Sequence, residues 1–211
     1  MNRDKTEIAT GVFNKHAHSY QEKFMDVSMY GESFDFFCDQ LPDRNAKILE
    51  LACGPGNITR YLLDKRPDFN ILATDLAPNM LALAQTNNPA ANFRLMDCRN
   101  LEKAGENYNG VMCGFALPYL SKPEVRKLLS DIFRMLKAGG LLYISTMEDD
   151  YEKSGFKKGS SGDEIFMHFY TAAFLNDELE KNNFKVLYQE QIESTASDGE
   201  KVIDLIMIAG K

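Results

Sequence analysis

The sequence has no closely spaced cysteines, no excess of positive charge and no long apolar run. Its four cysteines, Cys38, Cys53, Cys98 and Cys113, are scattered without a C-x-x-C pair. That pattern fits neither a zinc site nor a disulfide framework, so small buried thiols and no metal are expected. Acidic residues outnumber basic ones by 31 to 24, for a formal charge of -7 and a pI near 5.1. A surface of that sign repels phosphate backbones and argues against nucleic acid as a partner. No segment approaches the length of a bilayer span, and the polar N-terminus lacks the apolar core of a secretory signal. No membrane association and a cytoplasmic location are therefore expected, with monomer and homodimer both open.

What the chain does have is 211 residues, 44% of them hydrophobic, enough for one domain with a sizeable core. Residues 43–147 alternate strand and helix patterns, which predicts an α/β fold with a doubly wound, mostly parallel sheet. The central stretch runs from Ile48 to Thr59: an apolar strand, a turn through Gly54, Pro55 and Gly56, then a helix with Ile58, Tyr61 and Leu62 on its buried face. The two glycines free the backbone to bend and to approach a ligand, and Asn57 is placed to cap the helix. A second strand, Phe69 to Thr74, ends at Asp75, about 20 residues past the glycines, where an acid takes a ribose diol. Thr59 stands where a dinucleotide fingerprint needs glycine or alanine, and no Gly-Lys-Ser or Gly-Lys-Thr run follows.

Upstream, residues 1–42 read as a helical lid. Phe13, Ala17, Tyr20 and Phe24 share one helical face, and Tyr30, Phe34, Phe37, Cys38 and Leu41 mark another helix. His16 and His18 point to different faces and cannot form a two-ligand site. Downstream, Pro78 opens a helix lacking an N-cap side chain at Ala77, Asn92 to Asp97 is a third strand, and Tyr108 to Phe115 a fourth. Ser121 and Glu124 form a capping box for the longest helix, which is expected to end at Gly139-Gly140 before a fifth strand from Leu141 to Met147. Residues 148–172 form a variable region, its first part a long connection that is either a lid or an ordinary loop. Thr171 caps a helix, Asn183 follows it, and the strands Phe184 to Glu193 and Lys201 to Gly210 join through Ser197-Asp198-Gly199-Glu200.

The run E-L-A-C-G-P-G at 50–56 resembles the first motif of class I S-adenosylmethionine-dependent methyltransferases. F-x-x-x-A-x-x-Y at 13–20 and L-K-A-G-G-L-L-Y-I-S at 136–145 are similar to an early and a late motif of the same family. The resemblance covers roughly residues 10–210. It implies a Rossmann-like, seven-stranded sheet with helices on both faces, closed by an antiparallel C-terminal hairpin. It implies S-adenosyl-L-methionine as methyl donor, S-adenosyl-L-homocysteine as product, and a small-molecule acceptor. Carried over, the cofactor site is Tyr20 near the methionine end, Glu50 ordering the loop, and the backbone of Ala52, Gly54 and Gly56 around the methionine moiety. Asp75 takes the ribose, Leu76 packs on adenine, Asp97 and Cys98 read its edge, and Phe115 lies beneath the methionine end. The chain departs from the family at Asn14, Gln21, Ala77, Asn109, Ala116 and Asn183. Ala116 removes the polar side chain that methylation of a nucleobase amine requires. Tyr119, His168 and Tyr170 are the acceptor-side candidates, His168 either as a base or as a packed histidine. A non-catalytic binding protein for the same nucleoside and an NAD-dependent oxidoreductase are the alternative readings.

Overall fold

The computed structural model describes residues 4–159, 162–195, 199 and 201–211. Its frame is a seven-stranded sheet of order β3-β2-β1-β4-β5-β9-β8. Strands β1 (Lys47–Leu51), β2 (Asn70–Asp75), β3 (Asn92–Leu95), β4 (Tyr108–Cys113) and β5 (Leu136–Met147) run parallel. β9 (Lys201–Gly210) inserts antiparallel between β5 and β8 (Lys185–Thr195). The expected hairpin is therefore present, although its turn at 197–200 lies mostly outside the described residues. Among the described residues, no helix is long and apolar enough to cross a membrane.

Strand pleating splits the core between the two faces. Leu49, Leu51, Val111 and Leu142 face helices α6 (Lys122–Met135) and α7 (Ala172–Lys181), whereas Ile48, Ile71, Met112 and Tyr143 face α3 (Gly31–Asp39) and α4 (Asn57–Lys65). The order of the parallel strands reverses between β1 and β4. The crevice beyond the carboxyl ends of these strands is the usual ligand position of such sheets.

Several local expectations shift. The helical face of Phe13, Ala17, Tyr20 and Phe24 is divided between two helices, α1 (Lys5–Lys15) and α2 (Ala17–Phe24), broken at His16, whose Nε2 lies 2.6 Å from Asp163. The N-cap position of α4 belongs to Gly56, and Asn57, one residue further in, accepts the first-turn Ile58 N–H on Oδ1 at 2.9 Å while its amide donates to Phe24 O at 2.9 Å, tying α4 to α2. Helix α6 starts with its capping box but ends at Met135, before Gly139-Gly140, which lie inside β5. There Gly139, at φ 75°, and Gly140 exchange backbone hydrogen bonds with Lys211. Residues 155–167, expected to lie largely in a loop, carry an antiparallel pair, β6 (Gly155–Lys158) and β7 (Glu164–Met167). Asn183 does adopt the left-handed conformation, φ 63°.

Candidate active site at the switch point

The chain leaves β1 through three left-handed residues in five: Ala52 at φ 53°, Gly54 at φ 54° and Gly56 at φ 80°. An L-residue such as Ala52 pays about 1–2 kcal/mol for that conformation, so the surroundings must hold it. They do so through backbone bonds: Cys53 N–H to Thr74 O at 2.9 Å and Gly56 N–H to Cys53 O at 2.9 Å. The two glycines divide the work. A Cβ on Gly56 would lie 2.4 Å from Asn88 Nδ2 and 3.2 Å from Ala84 Cα, so its bareness makes room for helix α5 (Pro78–Asn87). A Cβ on Gly54 would meet only Tyr20 Cε1, at 3.8 Å. Gly54 is thus the glycine that borders the crevice.

Asp75, the last residue of β2, accepts the Gly54 N–H on Oδ2 and the Ala77 N–H on Oδ1, both at 2.8 Å. Burial raises its carboxyl above the ordinary range, against the lowering by these N–H bonds. Each oxygen keeps a lone pair for a further donor. Half-buried Tyr20 of α2 comes over this acid: burial first, then the Asp75 charge, pushes its phenol up to about 12. Glu50 is 1% exposed. Its Oε2 accepts the Thr59 hydroxyl at 2.6 Å, and its Oε1 finds no hydrogen-bond partner among the described residues. Burial pushes this carboxyl up to about 8, so it carries its proton near neutral pH.

Between α1 and the ends of β2 and β3 lies a cleft of about 380 Å³, with Leu76, Pro78, Asp97 and Arg99 on one side and Gly11 and Asn14 on the other. Asp97 is not solitary. Arg99 donates to both its oxygens (Nε at 3.1 and 3.0 Å, Nη2 at 2.7 Å) and also pairs with Asp4 at 2.7 Å and Glu124 at 3.2 Å. Burial pushes the neighbouring Cys98 thiol up to about 12, so it stays protonated.

Phe115, just past β4, is left-handed at φ 52°, its N–H shared between Ser145 O and Oγ at 3.1 Å each. Its ring lies 5.4 Å from Tyr30, whose hydroxyl donates to the buried Asp204 at 2.7 Å. Sequence reasoning missed Tyr30, Asp204 and Arg99 as neighbours of the site. The Asp97-x-Arg99 spacing carried a local signal for one of them, whereas the partners Tyr30 and Asp204 lie too far apart in sequence for any.

The acceptor-side candidates separate. Tyr119 is half-buried, 5.1 Å edge-on to Phe13, which in turn lies 5.7 Å from Tyr20. Tyr170 is fully buried and its hydroxyl donates to Leu120 O. His168, 6% exposed, stacks on Tyr151 at 5.7 Å and tilts against Phe166 at 4.8 Å. Burial and then the Lys5 charge lower its pKa, and its Nδ1 finds no hydrogen-bond partner among the described residues. His168 and Tyr170 belong to one packed aromatic stack with Tyr151 and Phe174, the arrangement expected of a packed histidine at 168.

Residues 48–140 match a family model described as "Methyltransferase domain". A malonyl-[acyl-carrier protein] O-methyltransferase of Enterobacter lignolyticus is 28% identical over 148 residues, covering 70% of this chain and 56% of that protein. A trans-aconitate 2-methyltransferase of Variovorax paradoxus is 32% identical over 108 residues, covering 51% and 40%. The chain thus aligns with only about half the length of these relatives. Among solved structures, the 1,6-didemethyltoxoflavin-N1-methyltransferase of Burkholderia thailandensis, with 1,6-didemethyltoxoflavin and S-adenosylhomocysteine bound, superposes with a TM-score of 0.72. It covers 97% of this chain and 88% of its own at 21% identity, a likeness of fold.

Proposed function

We propose that this chain is a class I S-adenosylmethionine-dependent methyltransferase that methylates a small-molecule acceptor, a reading supported by the methyltransferase-domain match over residues 48–140 and by the methyltransferases among its relatives. The observation that carries the proposal is the Asp75 carboxylate, fixed between the N–H groups of Gly54 and Ala77 with lone pairs left for a sugar diol. The residues fit the donor otherwise as well. Gly54 borders the crevice without a side chain, Ala52 and Phe115 hold strained conformations on either side of the switch point, and the adjoining cleft is lined by Leu76 and Asp97.

S-Adenosyl-L-methionine supplies a methyl group on a sulfonium whose leaving group is a neutral thioether. The protein's part is then to bind, orient and exclude water. Asp75 holds the ribose, the Ala52–Gly54 backbone and Tyr20 surround the methionine moiety, and Leu76, Asp97 and Cys98 line the adenine. Glu50, protonated and bonded to Thr59, fixes the loop from beneath. Phe115 and Tyr119 flank the path of the acceptor. Relatives named for trans-aconitate and 1,6-didemethyltoxoflavin support a small acceptor, and the absence of a polar side chain at Ala116 supports one that is not a nucleobase amine.

Thermal shift with S-adenosylmethionine, S-adenosylhomocysteine and NAD tests the donor. The first two are expected to raise the melting temperature and NAD to leave it unchanged; the reverse pattern would favour the oxidoreductase reading. Transfer of labelled methyl to small-molecule pools then distinguishes an enzyme from a binding protein.

A further inference from the structure

Helix α1 crosses the mouth of the cleft and is fastened on both sides of it. At its start, the Asp4 carboxylate accepts from Arg99 Nη1 at 2.7 Å, and the same guanidinium grips Asp97. Towards its end, Asn14 accepts the Asn79 N–H on Oδ1 and the Asn79 side-chain amide on its carbonyl, both at 2.8 Å. Between these clasps Glu7, Gly11 and Asn14, one helical face, line the cleft opposite Leu76 and Asp97.

A glycine inside a helix costs about 1 kcal/mol relative to alanine, so its place here calls for a reason. Packing supplies none: a Cβ built on Gly11 meets nothing within 4 Å. The backbone is ordinary right-handed helix. What Gly11 does is leave the cleft wall bare less than one helical turn before the Asn14 clasp.

We propose that Gly11 is the gap that admits the purine ring to the nucleoside site: the ring slides between Leu76 and the bare α1 backbone, and any side chain at position 11 occupies that space. The inference rests on the nucleoside reading of the site above, and goes beyond it by making α1 a fixed outer wall with one opening. The clasps set the width of the gap, because Arg99 ties the start of α1 to the acid that lines the adenine and Asn14 ties its end to α5.

Calorimetric titration of S-adenosylhomocysteine into Gly11→Leu and Gly11→Gln tests it. Both residues are good helix formers, and open space around the Cβ predicts folded proteins with melting temperatures at or above the parent's. Affinity is expected to fall about tenfold or more in both, roughly 1.4 kcal/mol per factor of ten, while His18→Leu, on the exposed side of α2, binds as the parent does. Parent-like affinity in a folded Gly11→Leu or Gly11→Gln overturns the gap. Failure of the unsubstituted protein to bind S-adenosylhomocysteine would instead overturn the reading of the site, so the two failures are distinct.

Discussion

Thr59 accounts for much of the chemistry beneath the cofactor loop. Its hydroxyl is the side-chain partner of Glu50 among the described residues, and alanine there would leave both carboxyl oxygens buried without one. Thr59→Ala should lower stability by about 1–3 kcal/mol, read from denaturant unfolding. Glu50 also sets a pH dependence. Its folded-state value of about 8 lies above the roughly 4.3 of an unfolded glutamate, so between these pH values the folded state binds a proton that the unfolded chain has released. Stability then falls as pH rises through that window, and Glu50→Gln should give a shallower decline in melting temperature across it. An identical slope in the variant would contradict the assignment. His168→Gln, inside the aromatic stack, is expected to lower the melting temperature while methyl transfer persists in the assay used for the parent. Loss of turnover with unchanged stability would restore it as a base. Gly54 and Asp75 were legible in sequence because their spacing along one β-turn-α-β unit fixes their meeting. Gly56 was legible as a turn residue but not as the seat of α5, since only the folded chain brings Ala84 and Asn88 against it.

At the scale of elements, two departures from the family pattern answer each other. Ala77 leaves α5 without a capping side chain of its own, and Asn14 supplies the missing acceptor to the Asn79 N–H from across the cleft. The cap that local sequence lacks is provided in trans by the lid. Asn14→Ala should therefore destabilise by about 1 kcal/mol, and Ala77→Ser should recover part of that loss in a double-mutant cycle. Strict additivity of the two changes would argue against a shared cap. Strand and helix order read well from periodicity because each element buries one face. The ends read poorly. Helix α6 stops at Met135 because residues from Leu136 onward pair with β4 and the C-terminus, a long-range competition no local signal reports. The β6–β7 pair escaped notice because each strand is only four residues long: Gly155–Lys158 is half lysine and mostly exposed, and Glu164–Met167 is too brief an apolar run to show alternation.

Across the whole molecule, the sheet brings the carboxyl ends of β1, β2, β3 and β4 to one edge, and the N-terminal helices close over it. The acids that matter come from separate strand ends: Glu50 below, Asp75 in the crevice, Asp97 beside the cleft. Each is handled differently: Glu50 by protonation, Asp75 by backbone N–H groups, Asp97 by Arg99. That division lets an acidic chain keep three carboxyls around one crevice. Arg99 links this arrangement to the lid through Asp4 and to α6 through Glu124. The account depends most on Asp75 as the group that receives the sugar. Calorimetry of S-adenosylhomocysteine with Asp75→Ala and Asp75→Asn tests it directly. The account predicts that affinity falls by about tenfold or more in both, as expected for lost hydrogen bonds to a charged group worth roughly 1.5–3 kcal/mol. Binding as tight as that of the unsubstituted protein would contradict it.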